Sequence, residues 1–472
     1  MTKTFEDILF ALDNHPDILD YKYEDGSSIW LSIRFDLRMI NFFNQADSSA
    51  PRKKIKQHRK REIIKYVLYS MINTPWLDTS QIEILSIANY ENNKTVPNIW
   101  TYFIRKLNGI RHKELLYSHE YYCFLGIKNT FSFDYFYNVA KIKSEWNKYF
   151  IKRDKTNFNK TVDDLFYIIH NKVKDYISFD DLINLKKHII HINTLSGYYE
   201  KQLLKYLKKV KPKIIITSEG NNGDWKYGTL FRVANDLGIP TAEVQHGAFG
   251  LGMVFGKQLI RQPEFQRHKS KFLFTFGEYH NSKSNAALFN IAMGNYKLEL
   301  INNSNIISNE YKSCIVIFSE GIPPSSINGN FMKTVSSALK NYKGNNKIVI
   351  RLHPSEEDTN FYRFLFKEIN CYFHTGDYMS MYDLVRNCEC VIGHNTTALF
   401  EALYFDKMPL IFEDSVSEQF ISSELGIWFR DAHRLSEILN NREYLSNNKK
   451  RKNHFWKEGN FSDNFLRFYK NL

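Results

Sequence analysis

CIVIFSEG (314–321), KIVIRLHP (347–354), CYFHTG (371–376), CECVIG (388–393) and MPLIFED (408–414) are short apolar runs, each followed by a helix's length of chain. The intervening helices are predicted at 331–342, 360–369, 379–387 and 397–405. Runs this short with no polar alternation are strands buried on both faces, and helical spacers between them make βαβ units of a parallel sheet. Upstream the pattern repeats: KIIITSEG (213–220), a helical stretch WKYGTLFRVANDLGIP (225–240), TAEVQHG (241–247) and KFLFTFGE (271–278). The Asn-rich INNSNIISNEYK (301–312) separates the two arrays as a linker.

Working outward, IEILSIAN (82–89) reads as a further strand and KELLYSHE (113–120) as a weaker one. Residues 130–210 are polar, helical in spacing and closed by Pro212. Residues 1–77 read as a helical N-terminal region that includes IWLSIRFDLRMINFF (29–43) and the basic run PRKKIKQHRKRE (51–62). The expectation is an α/β chain of two Rossmann-like, doubly wound domains facing a cleft, at 78–300 and 313–450. An amphipathic, aromatic-rich helical segment at 451–472 would pack as a helix and cross back to the first domain.

Ligands of open parallel sheets bind outside the carboxyl ends of the strands. There the sequence is polar and small: Ser218-Glu219-Gly220, Gln245-His246-Gly247, Ser319-Glu320-Gly321, His353-Pro354-Ser355 and Gly393-His394-Asn395-Thr396-Thr397. Thr396 and Thr397 stand where a strand turns into a helix, offering hydroxyls and free N–H groups to a phosphate; plain helix capping is the competing role. His353, held extended by Pro354, can donate to a phosphate oxygen, against the alternative of a surface-turn histidine. Glu219 and His246 are rival general bases for deprotonating an acceptor hydroxyl. Glu401, four residues after Thr397, shares its helix face and can reach a ribose, or simply face solvent. The loop EGIPPSSINGN (320–330) can cover a phosphate. No GxGxxG or GxxxxGK[ST] occurs at these turns, which argues against a nicotinamide or P-loop site.

The 472 residues suit two or three domains, and a hydrophobic content of 43% excludes disorder. Five cysteines without a CxxC pair predict reduced thiols, with neither a zinc site nor a disulfide framework. No bound metal or cofactor is expected. No apolar run reaches the ~18 residues of a membrane span, and the N-terminus is acidic where a signal peptide would be apolar; both lead to a cytoplasmic expectation. The net charge of +13 is carried by residues 1–300, with 44 basic against 31 acidic side chains; the remainder holds 20 of each.

Several motifs, in order along the chain, resemble those of bacterial surface-polysaccharide (capsule or O-antigen) glycosyltransferases of the GT-B type. They are Trp30-x-x-x-Arg34, the LGIP-to-QHG segment from Leu237 to Gly247, Phe276-Gly277-Glu278, His353-Pro354, and the G-x-x-[ST]-[ST]-x-x-x-E-A run from Gly393 to Ala402. The His-Pro and hydroxyl-pair motifs are similar to those of capsule sialyltransferases, Kdo transferases and CDP-polyol teichoic-acid polymerases. That resemblance implies metal-independent transfer of a sugar, an acidic one such as a nonulosonate or Kdo among them, from a nucleotide donor of CMP type to a glycan acceptor. His353, Thr396 and Thr397 would hold the donor phosphate, with help from Ser319, Glu320 and Gly321. The acidic strand-end motif of those families is matched only in part by Ser218-Glu219-Gly220, so Glu219 and His246 both stay open as the base.

The basic first half fits an anionic, lipid-linked acceptor and peripheral attachment to the inner face of an anionic membrane. It does not carry the interleaved aromatics of a nucleic-acid surface. Competing expectations are a CDP-glycerol or CDP-ribitol phosphotransferase, a sugar-nucleotide epimerase, and a non-enzymatic polymer- or RNA-binding protein.

Overall fold

The computed structural model describes residues 4–45, 74–77, 82–89, 102–117, 130–150, 156–218, 221, 224–247, 254–302, 311–319, 327–353, 356, 359–375, 378–414, 417–445 and 452–472. It is built on two parallel sheets. The first contains β1 (Ile84–Asn89), β2 (His112–Tyr117), β3 (Thr130–Ser132), β4 (Ile214–Thr217), β5 (Thr241–Val244), β6 (Phe272–Thr275) and β7 (Phe289–Ala292), in the order β3-β2-β1-β4-β5-β6-β7. The second contains β8 (Ile315–Phe318), β9 (Ile348–Arg351), β10 (Cys371–His374), β11 (Cys390–Gly393), β12 (Met408–Phe412) and β13 (Ile427–Phe429), in the order β10-β9-β8-β11-β12-β13. Each sheet starts at its centre, runs outward to one edge, and returns to build the other half. That is the doubly wound order, with reversals beside β1/β4 and β8/β11. The chain therefore has two Rossmann-like domains, in a GT-B-like α/β architecture.

Strand residues alternate between two apolar layers, because successive side chains leave opposite faces. Ile214 and Ile216 of β4 join Phe103 and Phe274 on one face, and Ile215 joins Phe136, Tyr199 and Phe231 on the other. The central strands β4, β8, β9 and β11 are buried along their whole length, which explains their unbroken apolar sequence.

The N-terminal region does not stand apart. Helices Phe5–Asp13 and Ile29–Gln45 share one core with helices Thr156–Val173 and Phe179–Val210 and with Phe255, Leu259 and Phe265. Thr4 and Asp7 cap the first of these helices reciprocally. The basic run 51–62 lies outside the described residues.

At the other end the expected helix is two helices, Lys452–Phe455 and Phe461–Lys470. They are separated where Gly459 takes φ +83°, a left-handed conformation that suits glycine. The second helix lies on the first sheet: Phe461 and Phe465 meet Phe103 at 4.7 and 5.0 Å between ring centroids, and Phe468 meets Phe274 at 5.1 Å. Phe455 and Trp456 sit between the domains. Phe455 contacts Tyr279 and Phe400, while Trp456 stacks on Phe276, meets Tyr404 and donates its indole N–H to the Phe400 carbonyl at 3.0 Å. One apolar cluster accordingly runs from the first sheet through these residues into the second domain.

Candidate functional site

The ends of β8 and β9, hydrogen-bonded neighbours, are tied together by one carboxylate. Glu356 accepts from the Ser319 hydroxyl, from the His353 backbone N–H at 3.0 Å and from the Tyr362 hydroxyl at 2.5 Å. Ser319 Oγ accepts the same His353 N–H at 2.7 Å. Ser319 is buried by this knot, whereas the His353 side chain stays exposed at the strand end. The pKa of His353 is lowered, chiefly by desolvation, with Glu356 opposing and Arg351 adding to the shift.

At the end of β11 the chain turns tightly through Gly393, where a Cβ would meet Thr396 Cγ2 and Leu399 Cδ2 at 3.0 Å. Thr396 Oγ1 accepts the Ala398 N–H at 3.3 Å, a capping role. Thr397 occupies the cap position of helix Ala398–Tyr404 but makes no side-chain cap bond. The Thr396 hydroxyl accepts the Ala398 N–H and keeps its own proton to donate, so capping does not use up either hydroxyl. His394 turns inward, fully buried, its Nε2 2.7 Å from Asp414 Oδ1 at the end of β12.

From the first domain, Gln245 fixes the QHG turn. Its amide donates to the Gly247 carbonyl at 2.8 Å, and its carbonyl accepts the Phe276 N–H at 2.8 Å. This delivers Gly247 to the other domain: a Cβ there would stand 3.5 Å from Thr397 Cγ2. The motif with a candidate base and the motif with the candidate phosphate hydroxyls thus touch across the domain boundary.

His246 is hydrogen-bonded to the Ser218 backbone at the neighbouring strand end, and its pKa is pushed down to about 4, first by burial and then by the charge of Lys297. Lys297, buried in helix Tyr296–Asn302, also acts on Glu401 of the second domain. Glu401 is buried and receives the Tyr382 hydroxyl at 2.8 Å. Its burial raises its pKa, which Lys297 and Tyr382 counter. The solvent-facing alternative for Glu401 is overturned, because helix Ala398–Tyr404 turns that face onto the partner domain.

No protein-family profile and no curated sequence matches this chain. Among solved structures it is similar to the UDP-GlcNAc 2-epimerase of Neisseria meningitidis bound to UDP-GlcNAc, at 14% identity and TM-score 0.44, over 83% of this chain and 100% of that one. It is also similar to the Methanocaldococcus jannaschii UDP-GlcNAc 2-epimerase in complex with UDP-GlcNAc and UDP (13%, 0.46, 83% and 100%) and to the glycosyltransferase SnogD from Streptomyces nogalater (11%, 0.44, 83% and 99%). None of these three reaches a TM-score of 0.5, and none gives this chain a substrate.

Glu219, Glu320 and Gly321 lie outside the described residues. Asn221, two residues after Glu219, is held by Glu243, which accepts its N–H at 2.5 Å, and by Ser270 at 2.7 Å; its carbonyl takes the buried Lys269 ammonium at 3.1 Å. Desolvation first, then Arg34, lowers Lys269 to about 7.

The Trp30-x-x-x-Arg34 motif has a partner that sequence reasoning missed. Trp30 and Arg34, one helical turn apart, both bind Asp13: the indole donates at 3.0 Å and the guanidinium is bidentate at 2.8 and 2.9 Å. Asp13 also takes the Gly256 N–H at 2.9 Å, and Arg34 donates to the Val254 carbonyl at 2.9 Å. A Cβ on Gly256 would stand 2.7 Å from the Asp13 Cβ, so the close approach requires glycine. The motif therefore anchors the chain that returns from the QHG turn.

Lys297 and Glu356 were also missed; neither sits in a run that ends a strand. Cys314, Cys388 and Cys390 are buried and their pKa values raised by desolvation, Cys314 to about 12, which leaves them inert; Cys371 is half-buried and Cys123 lies outside the described residues.

Proposed function

We infer that the chain is a GT-B-type glycosyltransferase, moving a sugar from a nucleotide donor in the second domain to a hydroxyl of a glycan acceptor on the first. The observation that carries this reading is the meeting of Gly247 with Thr397, which sets the QHG turn beside the start of helix Ala398–Tyr404. Thr396, Thr397 and His353 hold the donor phosphate. The acceptor oxygen attacks the anomeric carbon, its proton passes to His246 or Glu219, and the bond to phosphate breaks with both electrons leaving on the nucleotide. With a pKa of about 4 the His246 ring is neutral near pH 7 but a weaker base than a free imidazole. Phosphate beside it offsets the Lys297 charge and strengthens it as a base.

A cytidine nucleotide is the first donor to test, given the His-Pro and hydroxyl-pair resemblance. A surface polysaccharide is the acceptor class that resemblance implies, met at an anionic membrane face by the basic first half. No helix among the described residues is long and apolar enough to cross a membrane.

A thermal-shift screen of CMP, CDP, UDP and GDP tests the donor site: at 100 times its Kd the true nucleotide stabilises by about 2.7 kcal/mol. Thr396→Ala with Thr397→Ala removes that shift and lowers turnover about 100-fold, as loss of positioned donors does, with the fold intact by circular dichroism. Absence of any nucleotide shift overturns the donor assignment. Conversion of a nucleotide sugar without acceptor turns the reading to an epimerase, and phosphorus retained in the product turns it to a phosphotransferase.

A further inference from the structure

A small cavity with a few polar groups in a largely apolar lining lies in the first domain between the start of helix Ile29–Gln45 and the first turns of helix Trp225–Asp236. It holds about 20 Å³ of free space, room for one hydroxyl-sized oxygen. Its walls include Ser27, Ser28, Ser32, Asp224, Trp225, Gly228, His268 and Lys269. His268 is 4% exposed and its Nε2 has no hydrogen-bond partner. Its ring edge faces Gly228, whose missing side chain leaves the space open: a Cβ there would stand 3.8 Å from His268 Cδ2.

The hydrogen-bond pattern determines what chemistry can fill this space. His268 Nδ1 lies 2.9 Å from the Glu264 carbonyl, an acceptor, so Nδ1 carries the proton and Nε2 presents a lone pair. The Ser27 proton is engaged by Asp25 at 2.5 Å and the Ser32 proton by the Ile29 carbonyl at 2.7 Å, so both oxygens also offer lone pairs. Asp224 adds a carboxylate. Lys269, also on the wall, donates to the Asn221 carbonyl at 3.1 Å and lies over the Phe255 and Phe265 rings, so the group left unmet is the His268 acceptor, which takes an O–H donor. The half-buried Trp225 supplies an aromatic surface beside them, the combination on which a sugar's C–H face rests while its hydroxyl reaches polar groups.

We propose that this cavity is a subsite for one hydroxyl of a neutral sugar residue of the acceptor glycan, donated to His268 Nε2 with the ring against Trp225. It rests on the glycosyltransferase reading for its place in the reaction, but binding at it needs no donor.

The test uses methyl glycosides of glucose, galactose and mannose at millimolar concentration, read by saturation-transfer NMR on the full chain, alongside the nucleotide thermal shift. At least one glycoside binds, and replacing a single one of its hydroxyls by fluorine, which accepts but cannot donate, weakens binding about tenfold or more. Gly228→Ala fills the cavity at an ordinary contact distance and improves the helix, so melting temperature holds or rises while glycoside binding falls; Gly228→Val deepens the loss. The nucleotide shift is unchanged in both variants.

Glycoside binding that survives Gly228→Ala, no dependence on any single hydroxyl, or no binding to the wild-type chain overturns the subsite and leaves a cavity filled by structural water. Glycoside binding without any nucleotide shift sinks the donor-site reading while this subsite stands.

Discussion

The two domains have the same strand order and distribute their polar groups differently. In the second domain the hydrogen-bonded polar groups gather at the strand ends: Ser319 with His353 and Glu356, His394 with Asp414, and Thr396 with the Ala398 N–H. The first domain buries charge behind its sheet as well. Asp13–Arg34 and Asp25–Arg232 are buried ion pairs, and Glu243 and Lys269 are buried around Asn221. Each of these joins separate segments of the chain, so the charges fix how the N-terminal helices and the loops after β4 and β5 sit against the sheet. Charge buried to set position is also charge whose loss costs most.

The largest effect follows from breaking one of those pairs. Asp13→Ala leaves Arg34, with 4% of its side chain exposed, without its carboxylate, and Trp30 and the Gly256 N–H without their acceptor. The first domain should lose about 3–5 kcal/mol, the usual cost of stranding a buried charge. Urea unfolding followed separately in each domain checks this. Equal loss in both domains, or none, would show that the pair does not hold the N-terminal region.

Next comes the seam. The Cα of Gly277 is so close to the C-terminal segment that a Cβ would lie 2.2 Å from the Phe455 carbonyl, and Lys457 donates to the Phe276 carbonyl at 2.8 Å. Gly277 has φ −172°, so alanine meets no backbone strain and the clash alone is tested. Gly277→Ala should cost about 1–3 kcal/mol as overpacking and raise hydrogen exchange over 452–470. An unchanged exchange pattern would mean that the segment does not couple the domains.

Much of the fold was legible because central strands declare themselves. β4, β8, β9 and β11 are apolar at nearly every position, since both faces are covered. β3, β7 and β13 were not: each is an edge strand, and β7 and β13 are only partly covered, so no unbroken apolar run marks them. The strand-end triplets were legible for the same reason as the central strands, because polar residues interrupt an apolar run. Asp13, Lys297 and Glu356 were illegible because each gains its meaning from partners distant in sequence: Arg34 is 21 residues from Asp13, and Ser319 is 37 from Glu356. The Trp30/Arg34 spacing hinted at a shared partner without naming it.

The domains should also respond oppositely to pH. His246, His268 and His280, all in the first, are held by burial at about 4, 3 and 3. The unfolded chain binds those protons near 6.5, so their stabilisation is complete above that pH and is lost as pH falls through it. Asp36, raised to about 6 by burial and Asp224, offsets part of this loss. Lys269, lowered to about 7 against an ordinary 10.5, extends the gain upward, because unfolding takes up its proton between those values. In the second domain the thiols of Cys314, Cys388 and Cys390 are raised above an ordinary 9, so stability is lost as pH rises past 9 and the unfolded thiols ionise. Unfolding midpoints from pH 5 to pH 9.5 should therefore climb in the first domain and bend down in the second. Parallel curves would count against this distribution of buried groups.

The smallest expected effect is the most specific, because it asks whether the two domains share one electrostatic field. Lys297 is the second cause, after burial, of the low His246 pKa, and the leading force that holds the Glu401 pKa down against burial. Removing its charge with Lys297→Met relieves an unfavourable neighbour of the protonated imidazole and deletes a favourable neighbour of the carboxylate. Both groups then titrate at higher pH, His246 in the first domain and Glu401 in the second. The His246 shift stays smaller than the displacement burial imposes, so the ring remains below 6.5. Carbon-labelled histidine and glutamate NMR reads both titrations in one sample. A His246 shift without a Glu401 shift would place Lys297 in the field of its own domain alone and undo the electrostatic half of the contact that Gly247 and Thr397 make sterically. Movement of both, with His353 unmoved as an internal control in the second domain, makes the lysine the common element of a site built from two sheets.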